Sequence, residues 1–173
     1  MSKLLDAAGL KATTEKLARS IVEDAPRDAP VALIGIRRRG EYLAQRMLPI
    51  LRSAGLNPLH SGALDITLYR DDLTTIGPRA MVRGTEIDFD ITGVWLVLVD
   101  DVLYTGRSVR AALDALTDLG RPRCIKLAVL VDRGWRELPI HADYVGLRQT
   151  TSATNIVKVK LTEVDEVDGV ELV

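Results

Sequence analysis

The chain has 173 residues, a formal net charge of −1 and a hydrophobic fraction of 47%. This length suits a single hydrophobic core, so we predict one domain over residues 1–173. The near-zero charge excludes a global basic field for nucleic acid, but a local basic face stays open. The lone Cys124 excludes an internal disulfide and a multi-cysteine metal site. We expect it to be a buried structural thiol.

Hydropathy argues against a membrane protein. The first residues lack the apolar stretch of a secretory leader, and no run approaches the ~20 apolar residues that cross a bilayer. We therefore expect a cytoplasmic protein that makes no membrane contact.

The first half of the chain alternates between helix and strand patterns. Apolar residues at helical spacing predict a helix over residues 10–24, and Val31–Ile36 is typical of a short buried strand. A loop over Arg37–Gly40 then leads into a helix that ends near Gly55. Pro49 should kink this helix or loosen its last turns.

The second half continues the alternation. We predict a strand over residues 59–69 and then a long loop over residues 70–85, which is functional or disordered. Further strands are predicted at 94–100 and 125–131, separated by a helix that closes at Gly120. Short strands follow Tyr144. Alternating helices and buried strands indicate an α/β domain, with a mainly parallel sheet flanked by helices.

The most informative segment is residues 94–108. A near-continuous apolar run ends in Asp100 and Asp101, and a Thr-Gly-Arg-Ser loop follows before a helical pattern. Ligands of open α/β sheets bind beyond the carboxyl ends of such strands, and amides at a helix start favour an anion. This pattern suits a sugar phosphate that carries hydroxyls or a metal ion. The alternative is a buried strand capped by a solvated acid pair and a helix N-cap.

The segment resembles the 5-phosphoribosyl 1-diphosphate (PRPP) motif of the type I phosphoribosyltransferases. The resemblance implies that family's fold, with a small hood built from the terminal segments. It implies that Asp100 and Asp101 hold the ribose hydroxyls, and that Mg²⁺ arrives with PRPP rather than in a protein cage. The residues implied in binding the 5-phosphate are Leu103, Tyr104, Thr105, Gly106, Arg107 and Ser108.

The basic loop after the first strand resembles the pyrophosphate loop of the same family. Arg37, Arg38, Arg39 and Gly40 would bind the leaving diphosphate, whose negative charge guanidinium groups and loop amides stabilise. Relatives often hold a non-proline cis peptide bond here. The alternative is a solvated basic turn.

Two further segments, Ala63–Leu73 and Leu127–Ile140, resemble the PyrR family of pyrimidine operon attenuators with uracil phosphoribosyltransferase activity. This implies that Arg70 closes onto the diphosphate and contributes to catalysis. The residues implied in uracil binding are Val131, Asp132 and Arg133, through their main chain, and Val157, with Ile156 as the alternative cover for the base. Purine members of the fold carry an acid at the position of Tyr104, and this difference favours uracil.

The resemblance implies that the phosphoribosyl group of PRPP is transferred to uracil, which gives UMP and diphosphate. It also implies a regulator that binds pyrimidine operon leader mRNA and responds to UMP or UTP. Arg19, Arg136 and Arg148 are the candidate RNA contacts. Arg19 and Trp135 stand where many relatives have histidine, so a uracil salvage enzyme or nucleotide-binding protein without an RNA role stays open. A purine phosphoribosyltransferase is the less favoured alternative. The family also implies a homodimer or a higher oligomer.

The acidic residues near the end of the chain favour a solubilising edge over a site. They are Glu163, Asp165, Glu166, Asp168 and Glu171.

Overall fold

A five-stranded parallel sheet forms the centre of the structure, a computed structural model that describes residues 2–76 and 83–173. In chain order the elements are β1 (Ser2–Leu5), α1 (Ala7–Asp24), β2 (Val31–Ile36), α2 (Arg39–Ser53), β3 (Leu59–Leu64), α3 (Leu73–Ile76), β4 (Trp95–Leu103), α4 (Arg107–Leu119), β5 (Cys124–Asp132), β6 (Tyr144–Arg148), β7 (Val157–Lys160), α5 (Thr162–Asp165) and β8 (Gly169–Leu172). The sheet order is β3-β2-β4-β5-β6, and every neighbouring pair is parallel. The predicted α/β architecture is confirmed.

Helices cover both faces of this sheet because its strands are apolar on both sides. Along β4, Val97 and Val99 pack into one core with α1 and α2, whereas Leu96 and Leu98 pack into a second core with α4. Consecutive strand residues point to opposite faces, so an unbroken apolar run supplies both cores at once. Full burial of each such side chain contributes about 1.5–3 kcal/mol.

The chain termini form a separate small sheet, as the resemblance implies for a hood. Strand β8 lies between β1 and β7 and is antiparallel to both. Arg46 of α2 anchors this hood, because its guanidinium pairs with Asp168 at 2.8 Å and with Glu163. The expectation of a purely solubilising acidic edge is therefore wrong for these two acids, and also for Asp165, which pairs with Arg39.

The predicted strand over residues 59–69 is wrong in its second half. Strand β3 ends at Leu64, and residues Thr67–Tyr69 form a single 3₁₀ turn. The cause is Asp65, whose carboxylate accepts hydrogen bonds from the Thr67 N–H and hydroxyl and turns the backbone.

Other boundaries differ from the predictions by a few residues. Helix α1 begins at Ala7, with Asp6 as its N-cap, and α2 begins at Arg39, inside the predicted loop. Helix α2 also runs through Pro49 to Ser53. Cys124 is half-buried rather than fully buried.

The predicted loop over residues 70–85 contains the short helix α3, and its residues 77–82 lie outside the described residues. No helix in the described ranges is long and apolar enough to cross a membrane.

We predict that Arg46→Met loosens the hood and removes part of the acid sensitivity of the fold. Arg46 lowers the pKa of Glu163 and of Asp168, chiefly through its hydrogen bonds. Their contribution is therefore fully present above the unfolded-state pKa values near 4 and is lost as the pH falls through the lower folded values. Thermal unfolding between pH 7 and pH 3 measures this contribution.

The matched control is Arg52→Met, which changes an exposed arginine on the same helix. We expect Arg46→Met to lower the Tm at pH 7 and to flatten its dependence on pH, while Arg52→Met changes neither. Equal pH profiles for wild type and Arg46→Met would contradict the assignment.

Candidate active site

A cleft opens where the sheet reverses its direction of winding. From β2 the chain passes through α2 to β3 on one side, whereas from β4 it passes through α4 to β5 on the other. Ligands of open α/β sheets bind at this switch point, beyond the carboxyl ends of the strands. The cleft has a volume of about 310 Å³. Its lining residues are Ile36, Arg37, Arg38, Arg39, Asp65, Ile66, Thr67, Arg70, Arg83, Asp100, Asp101, Val102 and Ser108.

Asp100 and Asp101 lie inside β4, which continues past them to Leu103 and so extends beyond the predicted end at residue 100. Burial and the neighbouring Asp101 carboxylate raise the pKa of Asp100 well above its usual range. Burial also raises the pKa of Asp101, although hydrogen bonds and Arg39 partly offset the effect. Burial and the mutual repulsion of the carboxylates therefore disfavour a doubly charged pair, and oxygen atoms of both groups can accept hydrogen bonds from sugar hydroxyls.

The basic loop lies opposite this acid pair. Arg37 is mostly buried, with its guanidinium 3.3 Å from the carboxylate of Glu41 and 3.0 Å from that of Glu86. Arg39 forms a bidentate pair with Asp165 of the hood, at 2.7 Å. Arg38 is exposed, and no hydrogen bond or ion pair with the described residues engages its guanidinium.

The close approach of this loop to β4 depends on Gly40. A Cβ atom added there would lie 2.3 Å from the carbonyl oxygen of Val99, which belongs to the strand that carries the acids. The glycine therefore lets the start of α2 approach the acid pair, and the Arg37–Arg38 peptide bond is cis, as expected from the resemblance.

Arg70 reaches the cleft from the segment that follows the 3₁₀ turn. Its guanidinium pairs with Asp72 of the same segment at 2.6 Å. The segment is docked on α4, because Arg110 donates to the Tyr69 carbonyl at 2.8 Å and Asp71 pairs with Arg107 at 2.7 Å. Arg70 thus lines the same cleft as the acid pair.

The Thr105–Ser108 segment spans the start of α4, whose first residue is Arg107. Gly106 has a φ of +93°, a conformation that favours glycine, and it forms the turn that places the start of α4 at the carboxyl end of β4. Ser108 lines the cleft, whereas the Arg107 side chain leaves it to pair with Asp71 and Glu137. Leu103 is buried, and Tyr104 is partly exposed.

The residues predicted to bind uracil do not line this cleft. Asp132 and Arg133 line a neighbouring depression with Trp135, while Val131 and Val157 are buried. Arg133 is buried too, and its guanidinium lies 3.9 Å from the centre of the Tyr104 ring. It also donates to the carbonyls of Asn155 and Ser152, so its side chain joins the end of β5 to the loop that precedes β7.

The three arginines predicted to bind RNA differ in exposure. The side chains of Arg19 and Arg148 are 62% and 74% exposed. Arg136 is mostly buried and is directed at protein acceptors: it pairs with Asp132 at 2.6 Å and donates to carbonyls that include that of Tyr104. Its geometry gives it a structural role.

The sequence-based assignment left out several residues of the cleft region. Asp65 and Arg83 line the cleft, and Asp165 and Glu41 pair with its arginines. Glu41 and Asp165 lie outside the recognised motifs, so no sequence pattern indicated these two acids. Asp65 lies inside the segment that carries Arg70, and an Asp two residues before Thr is a turn signal that could have identified it.

The acid pair of the cleft suits a Mg²⁺ ion that arrives bound to a substrate. Within residues 2–76 and 83–173, no three His, Cys, Asp or Glu side chains gather into a metal cage. Asp100 and Asp101 nevertheless supply oxygen atoms at the rim, and Mg²⁺ binds through one or two carboxylates, water and substrate oxygens.

Comparison with known proteins agrees with this geometry. A family model described as the phosphoribosyl transferase domain matches residues 1–166. The bifunctional protein PyrR of Thermus thermophilus is 54% identical over 99% of this chain and 94% of its own length. That of Pelotomaculum thermopropionicum is 50% identical over 95% of this chain and 91% of its own length. The chain belongs to the PyrR family.

Solved structures of the phosphoribosyltransferase fold agree in architecture. A ternary substrates complex of Trypanosoma cruzi hypoxanthine phosphoribosyltransferase covers 97% of this chain and 92% of its own, with a TM-score of 0.72 and 21% identity. A Bacillus anthracis hypoxanthine-guanine phosphoribosyltransferase covers 90% and 86%, with a TM-score of 0.69 and 19% identity. At this identity the likeness shows the fold alone.

We predict that Gly106→Ala destabilises the protein and disturbs the loop before α4. An L-residue at this φ costs about 1–2 kcal/mol, and the new Cβ would lie 3.3 Å from the Cβ of Ile140. Gly134→Ala is the matched control, since Gly134 has a φ of +77° but no atom within 4 Å of an added Cβ. Urea unfolding should show a larger loss of stability for Gly106→Ala. Equal losses would mean that crowding at Ile140 is unimportant.

Proposed function

We propose that this protein transfers the phosphoribosyl group of PRPP to uracil, which gives UMP and diphosphate. The observation that carries the proposal is the cleft itself, where five arginines and the Asp100–Asp101 pair converge at the switch point of the sheet. A substrate with a diphosphate, a 5-phosphate and two hydroxyls matches this distribution of charge, and membership of the PyrR family supports uracil as the acceptor.

Different residues act on the two ends of the ribose. The amides of residues 105–108 bind the 5-phosphate, and Asp100 and Asp101 accept hydrogen bonds from the ribose hydroxyls. Arg38, Arg39 and Arg70 stabilise the diphosphate as its bond to ribose C1 breaks and the bond from C1 to uracil N1 forms, while the acid pair lies near the positive charge that develops on the ribose. Bound Mg²⁺ would neutralise part of the charge of PRPP. Catalysis is thus mainly orientation and electrostatics.

Main-chain hydrogen bonding favours Val157 as the base contact. The predicted contacts Asp132 and Arg133 already use main-chain groups, because the Asp132 carbonyl accepts from Gln149 and the Arg133 N–H donates to Leu103. Ile156 exchanges both of its main-chain bonds with Val173 of the neighbouring strand segment. In an antiparallel pair the next residue points its N–H and carbonyl the other way, so those of Val157 face the free edge of the hood sheet. We propose that the N–H and carbonyl of Val157 bind the polar edge of uracil.

A pyrimidine is the base that the site residues favour. Purine transfer in this fold uses an acid at the position of Tyr104, and the Tyr104 ring is instead stacked on Arg133. A phenol is a poor general base near neutral pH, whereas uracil ionises without such a partner.

A second proposed activity is regulation through binding of pyrimidine operon leader RNA, and the PyrR relatives are named bifunctional. The exposed guanidinium groups of Arg19 and Arg148 and the half-exposed ring of Trp135 are available on the surface. Guanidinium groups bind phosphates, and an aromatic ring can stack on an unpaired base. The proposal extends to a homodimer or higher oligomer that gathers these groups, and to the cytoplasm as the location.

We predict that Asp101→Asn and Arg70→Ala each lower kcat/KM for PRPP by about a hundredfold, the usual cost of one electrostatic contact to the transition state. Asp101→Asn should fold, because burial raises the pKa of Asp101 and so favours its neutral form. Label exchange with uracil, hypoxanthine and orotate measures turnover and base choice. Asp28→Asn, at an exposed acid outside the cleft, is the control. Unchanged turnover in both variants, or preference for hypoxanthine, would overturn the proposal.

We predict that Arg148→Ala weakens binding of leader RNA about fivefold. It should also reduce the slope of log affinity against log salt concentration by the amount expected for about one phosphate contact. Filter binding over a series of salt concentrations, with and without UMP, gives both values. Arg19→Ala should behave alike, and neither variant should change uracil transfer. Equal binding of a scrambled RNA by the wild-type protein would reject the regulatory role and leave the enzyme.

A further inference from the structure

Asp65 makes a set of hydrogen bonds that the proposed reaction does not explain. One carboxylate oxygen accepts from the N–H and hydroxyl of Thr67, and the other accepts from the N–H groups of Arg83 and Gly84. Burial raises the pKa of Asp65, but these hydrogen bonds outweigh it and the net pKa is lowered. The side chain is therefore a charged acceptor whose two oxygens each have two donors.

The two sets of donors come from opposite ends of one segment. Thr67 begins the 3₁₀ turn that leads to Arg70, whereas residues 83 and 84 lie where the chain returns to the sheet. Just beyond, Ala63 and Glu86 exchange two main-chain hydrogen bonds at 3.0 and 2.8 Å. A single carboxylate thus fixes both the departure and the return of the chain that carries Arg70.

A bond within the 3₁₀ turn and contacts with α4 fix the rest of the path from Asp65 to Arg70. The Tyr69 N–H donates to the Ile66 carbonyl at 2.9 Å, and its hydroxyl donates to Asp118 at 2.6 Å. The Tyr69 carbonyl accepts from Arg110. The short backbone between Asp65 and Arg70 is therefore hydrogen-bonded at both ends, and the guanidinium that enters the cleft follows directly from it.

We propose that Asp65 is a positioning residue for Arg70: it holds the backbone that carries Arg70 beside the proposed diphosphate site. Its own oxygens are occupied by four donors, so it acts through Arg70 rather than on the substrate. The inference rests on the proposed function, which places the diphosphate of PRPP against Arg70. It adds a residue whose effect must disappear when Arg70 is absent.

The test is a double-mutant cycle with Asp65→Asn and Arg70→Ala. Asparagine keeps the size of the side chain but replaces one acceptor with a donor, so it faces hydrogen-bond donors with an N–H group. Loss of one or two of these hydrogen bonds to a charged acceptor corresponds to about a tenfold fall in kcat/KM for PRPP. In the Arg70→Ala background, the same substitution should change kcat/KM by less than about twofold, since contacting groups are not additive. The KM for uracil should stay unchanged.

Asp90→Asn is the matched control, because Asp90 also accepts from the N–H two residues later, that of Thr92 at 2.8 Å, but it lies outside the cleft. It should leave all kinetic constants unchanged. If Asp65→Asn fails to fold, Tyr69→Phe removes the Asp118 bond from the same segment. It should give a smaller loss with the same dependence on Arg70.

The outcomes separate the two proposals. If the wild-type protein transfers uracil and the two losses multiply, Asp65 acts independently of Arg70 and this inference is overturned. The same holds if Asp65→Asn matches the wild type. If the wild type shows no transfer, the proposed function fails, and calorimetric titration of PRPP into the four proteins still decides the cycle. Additive binding losses, or no PRPP binding at all, would then reject the role of Asp65.

Discussion

The site depends on one constraint, which is that β2 and β4 are neighbours in a parallel sheet while their connections leave on opposite faces. Helix α2 and helix α4 therefore both begin at the same edge of the sheet, but neither covers the gap between them. The loop after β2 brings arginines to this gap, and the end of β4 brings two carboxylates. Opposite charges meet there because both segments end at the carboxyl edge of neighbouring strands.

Most arginines around the cleft have carboxylate partners. Arg37 pairs with Glu41 and Glu86, Arg39 with Asp165, and Arg70 with Asp72. Pairs that are open to solvent, as that of Arg70 is, contribute only about 0–1 kcal/mol each. The proposed diphosphate could therefore replace such a carboxylate at small cost. This pairing also limits the repulsion among guanidinium groups that share one small volume.

Patterns within short segments predicted the main features of the fold. The apolar runs indicated the buried strands, and the Asp100–Ser108 segment indicated the acid pair and the helix start. The end of β3 was predicted wrongly because the apolar alternation continues through Ile66 and Leu68, past the turn that Asp65 imposes. The partners of Arg39 and Arg46 lie more than a hundred positions later in the chain, so only the folded structure shows that the acidic tail pairs with α2.

The carboxyl end of β5 joins the proposed catalytic site to the proposed RNA surface. Arg136 donates to the carbonyl of Tyr104, which directly precedes the Thr105–Ser108 segment, and pairs with Asp132; Asp132 also lies 3.4 Å from the exposed Arg148. Three successive contacts therefore separate the residue before the proposed 5-phosphate site from the outer arginine, Arg148. Coupling between two sites requires an element whose arrangement both ligands can bias, and this short network is contiguous with each of them. Arg136 thus joins the segment before α4 to the end of β5 through its bond to the Tyr104 carbonyl and its ion pair with Asp132.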